Sequence, residues 1–131
     1  MNTKLNKILA EISAGELIDK ITILEIKKQK IQNSDKIKDV EKELNSLNIT
    51  LKQSIDNIGK VENLINELKK INLQLWDIED GKRLAEKNNK FDKDFIQLAR
   101  NVYKINDERA KIKLKINLEL GSNIKEVKSY E

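Results

Sequence analysis

The chain contains no proline and only four glycines in 131 residues, so little in it stops a helix once one has started. Apolar residues recur three and four apart over long stretches. Ile37, Val40, Leu44, Leu47 and Leu51 form one such series, with Ile55 close to phase. That is the spacing of a coiled-coil seam. Charged residues make up 37% of the chain and aromatics 4%, and the charges alternate with Ile and Leu throughout. The pattern predicts long amphipathic helices rather than strands or a disordered tail. The expected fold class is all-α, an antiparallel helical bundle of about four helices with coiled-coil-like heptads.

Local signals divide the chain further. Residues 1–12 read as a short polar lead with a few apolar residues. Ser13-Ala14-Gly15-Glu16 then has the form of a capping box, opening a helix over about 14–33. Asn33-Ser34-Asp35 offers a break and a new N-cap, and a second helix follows over about 35–56. Asp56-Asn57-Ile58-Gly59 looks like a helix end, although the heptad runs on through Ile58, Val61, Ile65, Leu68, Asn72 and Leu75. One unbroken helix from 35 to 87 would be about 80 Å long. A compact domain of this size cannot easily cover such a rod, so a break is expected, with a third helix over about 60–87. Asn88-Asn89-Lys90-Phe91-Asp92 is the clearest loop, with Asp92 as N-cap and Phe91 packing back. A fourth helix runs over about 93–120. Gly121-Ser122 ends it, and the tail 121–131 is polar except for Ile124, Val127 and Tyr130. The length implies a single domain spanning 1–131.

What the chain lacks narrows its chemistry. Without Cys there is no disulfide and no thiol. Without His the usual general base and the usual zinc ligand are gone. No cofactor and no metal site are expected. The start lacks the apolar core of a signal peptide, and no apolar run approaches membrane-spanning length, so a cytoplasmic protein without a membrane partner is expected. The net charge is +4 with both signs interspersed. No nucleic-acid partner is expected on that pattern, since a basic stripe and interleaved aromatics are both missing. The composition favours Lys so strongly that Arg83, Arg100 and Arg109 stand out, and their planar fork is a reason to retain them.

Projecting each helix at about 100° per residue places polar groups where apolar ones belong. In the fourth helix Asn106, Arg109 and Lys113 interrupt the stripe of Phe95, Leu98, Ala99, Val102, Ala110, Ile116 and Leu120. The third helix carries Asn72, Glu79 and Arg83 on the line of Leu68, Leu75 and Trp76. In the first, Lys28 joins Leu17, Ile21, Leu24 and Ile31. Antiparallel packing of the third and fourth helices sets Trp76 opposite Tyr103 or Lys104 and brings Asn72 close to Arg109. Core-facing charge is costly unless paired and hydrogen-bonded. Lys28, Asn72, Glu79, Arg83, Asn106, Arg109 and Lys113 are therefore candidates for a small anionic ligand site or for a polar network that sets helix register. The acidic run Trp76-Asp77-Ile78-Glu79-Asp80 does not read as a metal site, because Asp77 and Glu79 point to different helix faces. Ile23 and Ile26 form a second apolar patch on the first helix. That helix is then either sandwiched within the bundle or used for association, and a two-fold homo-oligomer is expected from it.

Several segments resemble, together, a small bacterial family of uncharacterised helical proteins, a domain of unknown function. They are Ile12-Ser13-Ala14-Gly15-Glu16-Leu17-Ile18-Asp19-Lys20-Ile21 with its continuation to Lys27, Leu75-Trp76-Asp77-Ile78-Glu79-Asp80 with Arg83, Ala99-Arg100 through Tyr103, Asn106-Asp107-Glu108-Arg109-Ala110, and Ile116-Asn117 to Tyr130. The resemblance covers nearly the whole chain and implies an all-helical fold without assigning an activity. Ile18-Asp19-Lys20-Ile21-Thr22-Ile23-Leu24-Glu25 is also similar to the opening helix of the all-α chorismate mutases. That family holds a dicarboxylate among Arg and Lys side chains inside a helical bundle. The early Arg residues of its first helix are missing here, and Lys28 would have to substitute.

Two functions are expected from this reading. One is a helical interaction or scaffolding module that self-associates. The other is a small-anion-binding protein or enzyme, with a cationic pocket inside the bundle.

Overall fold

The structure is a computed structural model and describes residues 4–128. Four α-helices, α1 (Ala14–Lys30), α2 (Ser34–Ser54), α3 (Glu62–Lys87) and α4 (Lys93–Leu120), account for most of it, with a 3-10 turn at Ile58–Val61. Among the described residues there is no strand, and the protein is an all-α bundle. Among these residues no helix is long and apolar enough to cross a membrane. Tyr130 lies outside the described residues.

The helix ends follow their capping chemistry. Ser13 Oγ accepts from the Glu16 amide at 3.0 Å, Asn33 caps α2, and Asp92 caps α4 through the amides of Asp94 and Phe95. Phe91 packs edge-to-face on Phe95 with ring centroids 5.3 Å apart. Gly121 closes α4 in the left-handed region, φ 68°, where a side chain would be strained. The helix α1 stops at Lys30 rather than near 33, because Ile31 is already extended and Asn33 is committed to capping α2. The chain also breaks between α2 and α3. Ile55 is extended, with φ −127° and ψ 111°, so the heptad that continues past it passes through a 3-10 turn instead of a rod.

Packing is built around α1, which is buried on two opposite faces. Leu17, Ile21 and Leu24 pack with Val40 and Leu44 of α2. From its other face, Ile18 joins Leu68 and Ile71 of α3 and Ile112 and Ile116 of α4. The helix α2 packs on α1, and only Leu51 and Ile55 near its end reach the α3–α4 core. Ile26 is 1% exposed, so this second apolar face of α1 is covered by the chain itself and is not open for association as expected. Ile23 is half-buried. The hairpin of α3 and α4 is longer than α1 and runs on beyond it. Between residues 73 and 111 only Ile78 is buried.

Candidate functional site

The polar interior centres on Asp19, a residue the sequence projection passed over. It is fully buried. Arg109 of α4 donates to it twice, from Nε to Oδ1 at 3.0 Å and from Nη2 to Oδ2. This is the bidentate geometry that a guanidinium gives and an ammonium cannot. Asn72 of α3 donates to Asp19 Oδ1 at 2.9 Å and to Thr22 Oγ1 at 2.8 Å. Thr22 Oγ1 in turn donates to the Asp19 carbonyl at 2.8 Å. One carboxylate on α1 therefore ties together α1, α3 and α4.

A second centre lies one turn along. Lys113 Nζ donates to Glu16 Oε2 at 2.5 Å, meets Glu126 of the tail at 3.0 Å, and stands 3.8 Å from Asp19 Oδ2. Lys20 approaches Glu16 from the rim at 3.7 Å. The capping box expected at Ser13 is thus only half made, because the Glu16 side chain turns to Lys113. Burial pushes the Lys113 ammonium down, but the hydrogen bonds to Glu16 and Glu126 outweigh it, and the pKa ends above 10.5. Burial likewise pushes the Glu16 carboxyl up. Hydrogen bonding to Lys113, with help from Lys20, brings it below 4.5. The hydrogen bond to Asp19 holds Arg109 more firmly protonated still, against the effect of burial.

Beside these charges the backbones of α1 and α4 touch. The Gly15 amide donates to Asn117 Oδ1 at 2.6 Å, and the Ala14 amide donates to Ser122 Oγ at 3.0 Å. With Ser13 on the Glu16 amide, three N–H groups that a helix start leaves unpaired are satisfied. A Cβ on Gly15 would sit 2.5 Å from the Lys113 carbonyl oxygen. Only glycine permits this approach.

Of the seven candidate residues, four converge and three do not. Asn72, Arg109 and Lys113 belong to the network, and Asn106 reaches Arg109 Nη1 at 3.5 Å. Lys28 is exposed in the last turn of α1, where Lys27, Lys28 and Lys30 complement the helix dipole. Glu79 and Arg83 lie about 10 and 16 Å further along α3 from Asn72. There Glu79 meets Lys82 at 3.4 Å, and Arg83 is exposed. Among the described residues neither side chain joins the Asp19 network.

A signal for Asp19 did exist in the sequence. Gly15, Ile18, Thr22 and Ile26 follow one another at helical spacing on one face of α1, and Asp19 lies among them. The neighbouring Lys20 and the stronger stripe of Leu17, Ile21 and Leu24 drew the projection to the opposite face.

The arrangement defines an all-α bundle whose interior is crossed by a closed ion-pair network. The chain belongs to DUF6165, a family of unknown function, whose model matches residues 8–131. No curated protein and no solved structure matches the chain. The likeness to the chorismate mutases is not shown by these comparisons. In the phrase that suggested it, Asp19 itself takes up the cation that a dicarboxylate substrate would need.

Proposed function

We propose that this chain is a helical interaction module that self-associates, and that its buried charges hold α1, α3 and α4 in a single register. The observation that carries this reading is the balance of the interior. Three carboxylates, from Glu16, Asp19 and Glu126, face three cations, Arg109, Lys113 and, at the rim, Lys20. Among the described residues no buried side-chain nitrogen or oxygen lacks a partner. A buried polar group of this kind is best attested as a device that selects register. What remains for a partner is helix surface, since α2 packs on α1 alone among the helices and, between residues 73 and 111, every position but Ile78 is half-buried or exposed. A cytoplasmic location is part of the reading, supported by a chain without Cys.

The alternative, a small-anion-binding protein or enzyme, has less in its favour. Arg109 and Lys113 are already engaged by carboxylates. The groove between α3 and α4 is lined by Lys70, Gln74, Glu108 and Lys111 among others, and a second groove lies between α4 and the tail. Neither takes Asn72, Arg109 or Lys113 into its walls.

Light scattering across a range of protein concentrations, combined with a thermal-shift screen against small carboxylates and phosphates, tests the two readings together. A mass that rises with concentration and an unmoved melting temperature are expected. A ligand at about 100 times its Kd would stabilise the fold by about 2.7 kcal/mol. A selective shift of that size, abolished in Arg109→Met, would replace the present reading with the anion site.

A further inference from the structure

Three helix ends meet around a cavity of about 590 Å³. The start of α1 contributes Ser13 and Ala14, the end of α2 contributes Ser54 and Ile55, and the end of α4 contributes Leu120 and Gly121. The volume lies within the range of small-molecule sites, about 300–1,000 Å³. The charged side chains of the buried network, Glu16, Asp19, Arg109 and Lys113, do not line it.

Its lining is charged on one side only. Of the 131 residues in the chain 26 are Lys or Arg, yet none of them lines this cavity, whereas Glu11 and Asp56 do. Among the described residues neither carboxylate forms an ion pair. Glu11 accepts from the Asn123 side-chain amide at 2.5 Å, and Lys60, four residues past Asp56, turns to Glu119 at 3.9 Å.

The backbone adds the same sign. A helix leaves its last carbonyls unpaired and carries about half a negative charge at that end. Both α2 and α4 end at the cavity. The carbonyls of Ser54 and Leu120 accept from no backbone amide, and α4 has no basic residue in its last turn. The start of α1 has the opposite polarity but presents no free amide. Ala14 donates to Ser122, Gly15 to Asn117 and Glu16 to the Ser13 side chain, while Leu17 donates to the Ser13 carbonyl. The hydroxyls of Thr50 and Ser122 donate to the carbonyls of Ser46 and Ile124, so towards a ligand each can only accept.

We infer that this cavity binds a small organic cation, a primary ammonium or guanidinium on a short apolar stem. The carboxylates and the two carbonyl ends take the head group. Leu17, Ile55 and Leu120, which line the same cavity, take the stem. A bare metal ion fits less well. Two carboxylates are few for a hard cation, and among the described residues no three His, Cys, Asp or Glu side chains come together to hold one. The inference goes beyond the interaction module proposed above and does not depend on self-association.

The test follows amide NMR shifts of the full chain, labelled with ¹⁵N, during titration with butylamine, butanol and butyrate at one ionic strength. These probes share a stem and differ in the charge of the head. Butylamine should move the amides of residues 50–57 and 120–123 saturably, and the other two should not. Asp56 is exposed, so Asp56→Lys should keep the native circular dichroism while it sets an ammonium at the cavity, and butylamine binding should weaken by roughly tenfold or more. Asp39→Lys makes the same change in net charge at an exposed position of α2, about 22 Å along the helix from Ser54. That is beyond the reach of screened charge, so binding should be unchanged. The cation site would be overturned by butylamine shifts that are scattered or never saturate, by butanol acting as well as butylamine, or by Asp56→Lys binding as tightly as the native chain.

Discussion

Asp19 and Arg109 lie 90 residues apart in sequence and meet in a two-pronged hydrogen-bonded pair between α1 and α4. The Asp19 side chain is 1% exposed and the Arg109 side chain 27%. The carboxylate is therefore the partner that cannot return to water. That asymmetry decides what breaking the pair should do.

Arg109→Met should destabilise the protein by about 3 kcal/mol, near the lower end for breaking a buried pair. The Asn72 amide still serves Asp19, and Lys113 stands close enough to attract it. Replacing both partners, in Asp19→Leu/Arg109→Met, should cost clearly less than the two single changes added together, because no unpaired charge is left inside. Urea unfolding of the four proteins measures this coupling. Strictly additive losses would mean that the pair does not act as a unit.

At Gly15 even one methyl group is too much. A Cβ there would press on the Lys113 carbonyl at 2.5 Å and on Asn117 Oδ1 at 2.9 Å, and backbone is the part of a structure least able to yield. Gly15→Ala should cost about 2 kcal/mol or more. Gly59 has nothing within 4 Å of its would-be Cβ, so Gly59→Ala should be neutral or stabilising by up to about 1 kcal/mol. Equal melting temperatures for the two variants would contradict the close contact of α1 with α4.

Ser13 holds the start of the helix that carries Asp19 and Glu16. Loss of its hydroxyl in Ser13→Ala should remove about 1 kcal/mol, and Ser13→Asp should recover most of it. If the Asp variant were no better than the Ala variant, the Ser13 hydrogen bond would not be what supports this end of α1.

Stability should also depend on pH in a defined direction. The folded-state pKa of Glu16 is below its ordinary 4.5. The contribution is therefore present above that value and is lost as pH falls through the lower, folded one. Lys113 is raised above its ordinary 10.5, so its contribution is present below that value and is lost as pH rises through the higher, folded one. With no His in the chain, a plateau between about pH 5 and 10 is expected from these two groups. Thermal unfolding against pH should show the fall at its acid edge, and Lys113→Met should make that fall shallower. An acid limb of the same depth in the variant would show that other carboxyl groups set it.

The sequence by itself determined where the helices are. Ser13, Asn33, Asp92 and Gly121 mark their ends through side-chain or left-handed caps, which are local chemistry and need no partner from elsewhere in the chain. The 3,4 spacing along α3 and α4 also identified the facing seam, and with it the nearness of Asn72 to Arg109, which now share Asp19 Oδ1. Tertiary structure decided the rest. Whether Ile26 faces a second copy or the rest of its own chain depends on what lies across α1, and the answer is its own bundle. Whether Arg83 becomes part of a network depends on which side chains the fold brings to it, and it is left exposed. A helical projection shows which residues share a face. It does not show which face another helix will cover, and that is why Asp19, the carboxylate at the centre, became visible only in the fold.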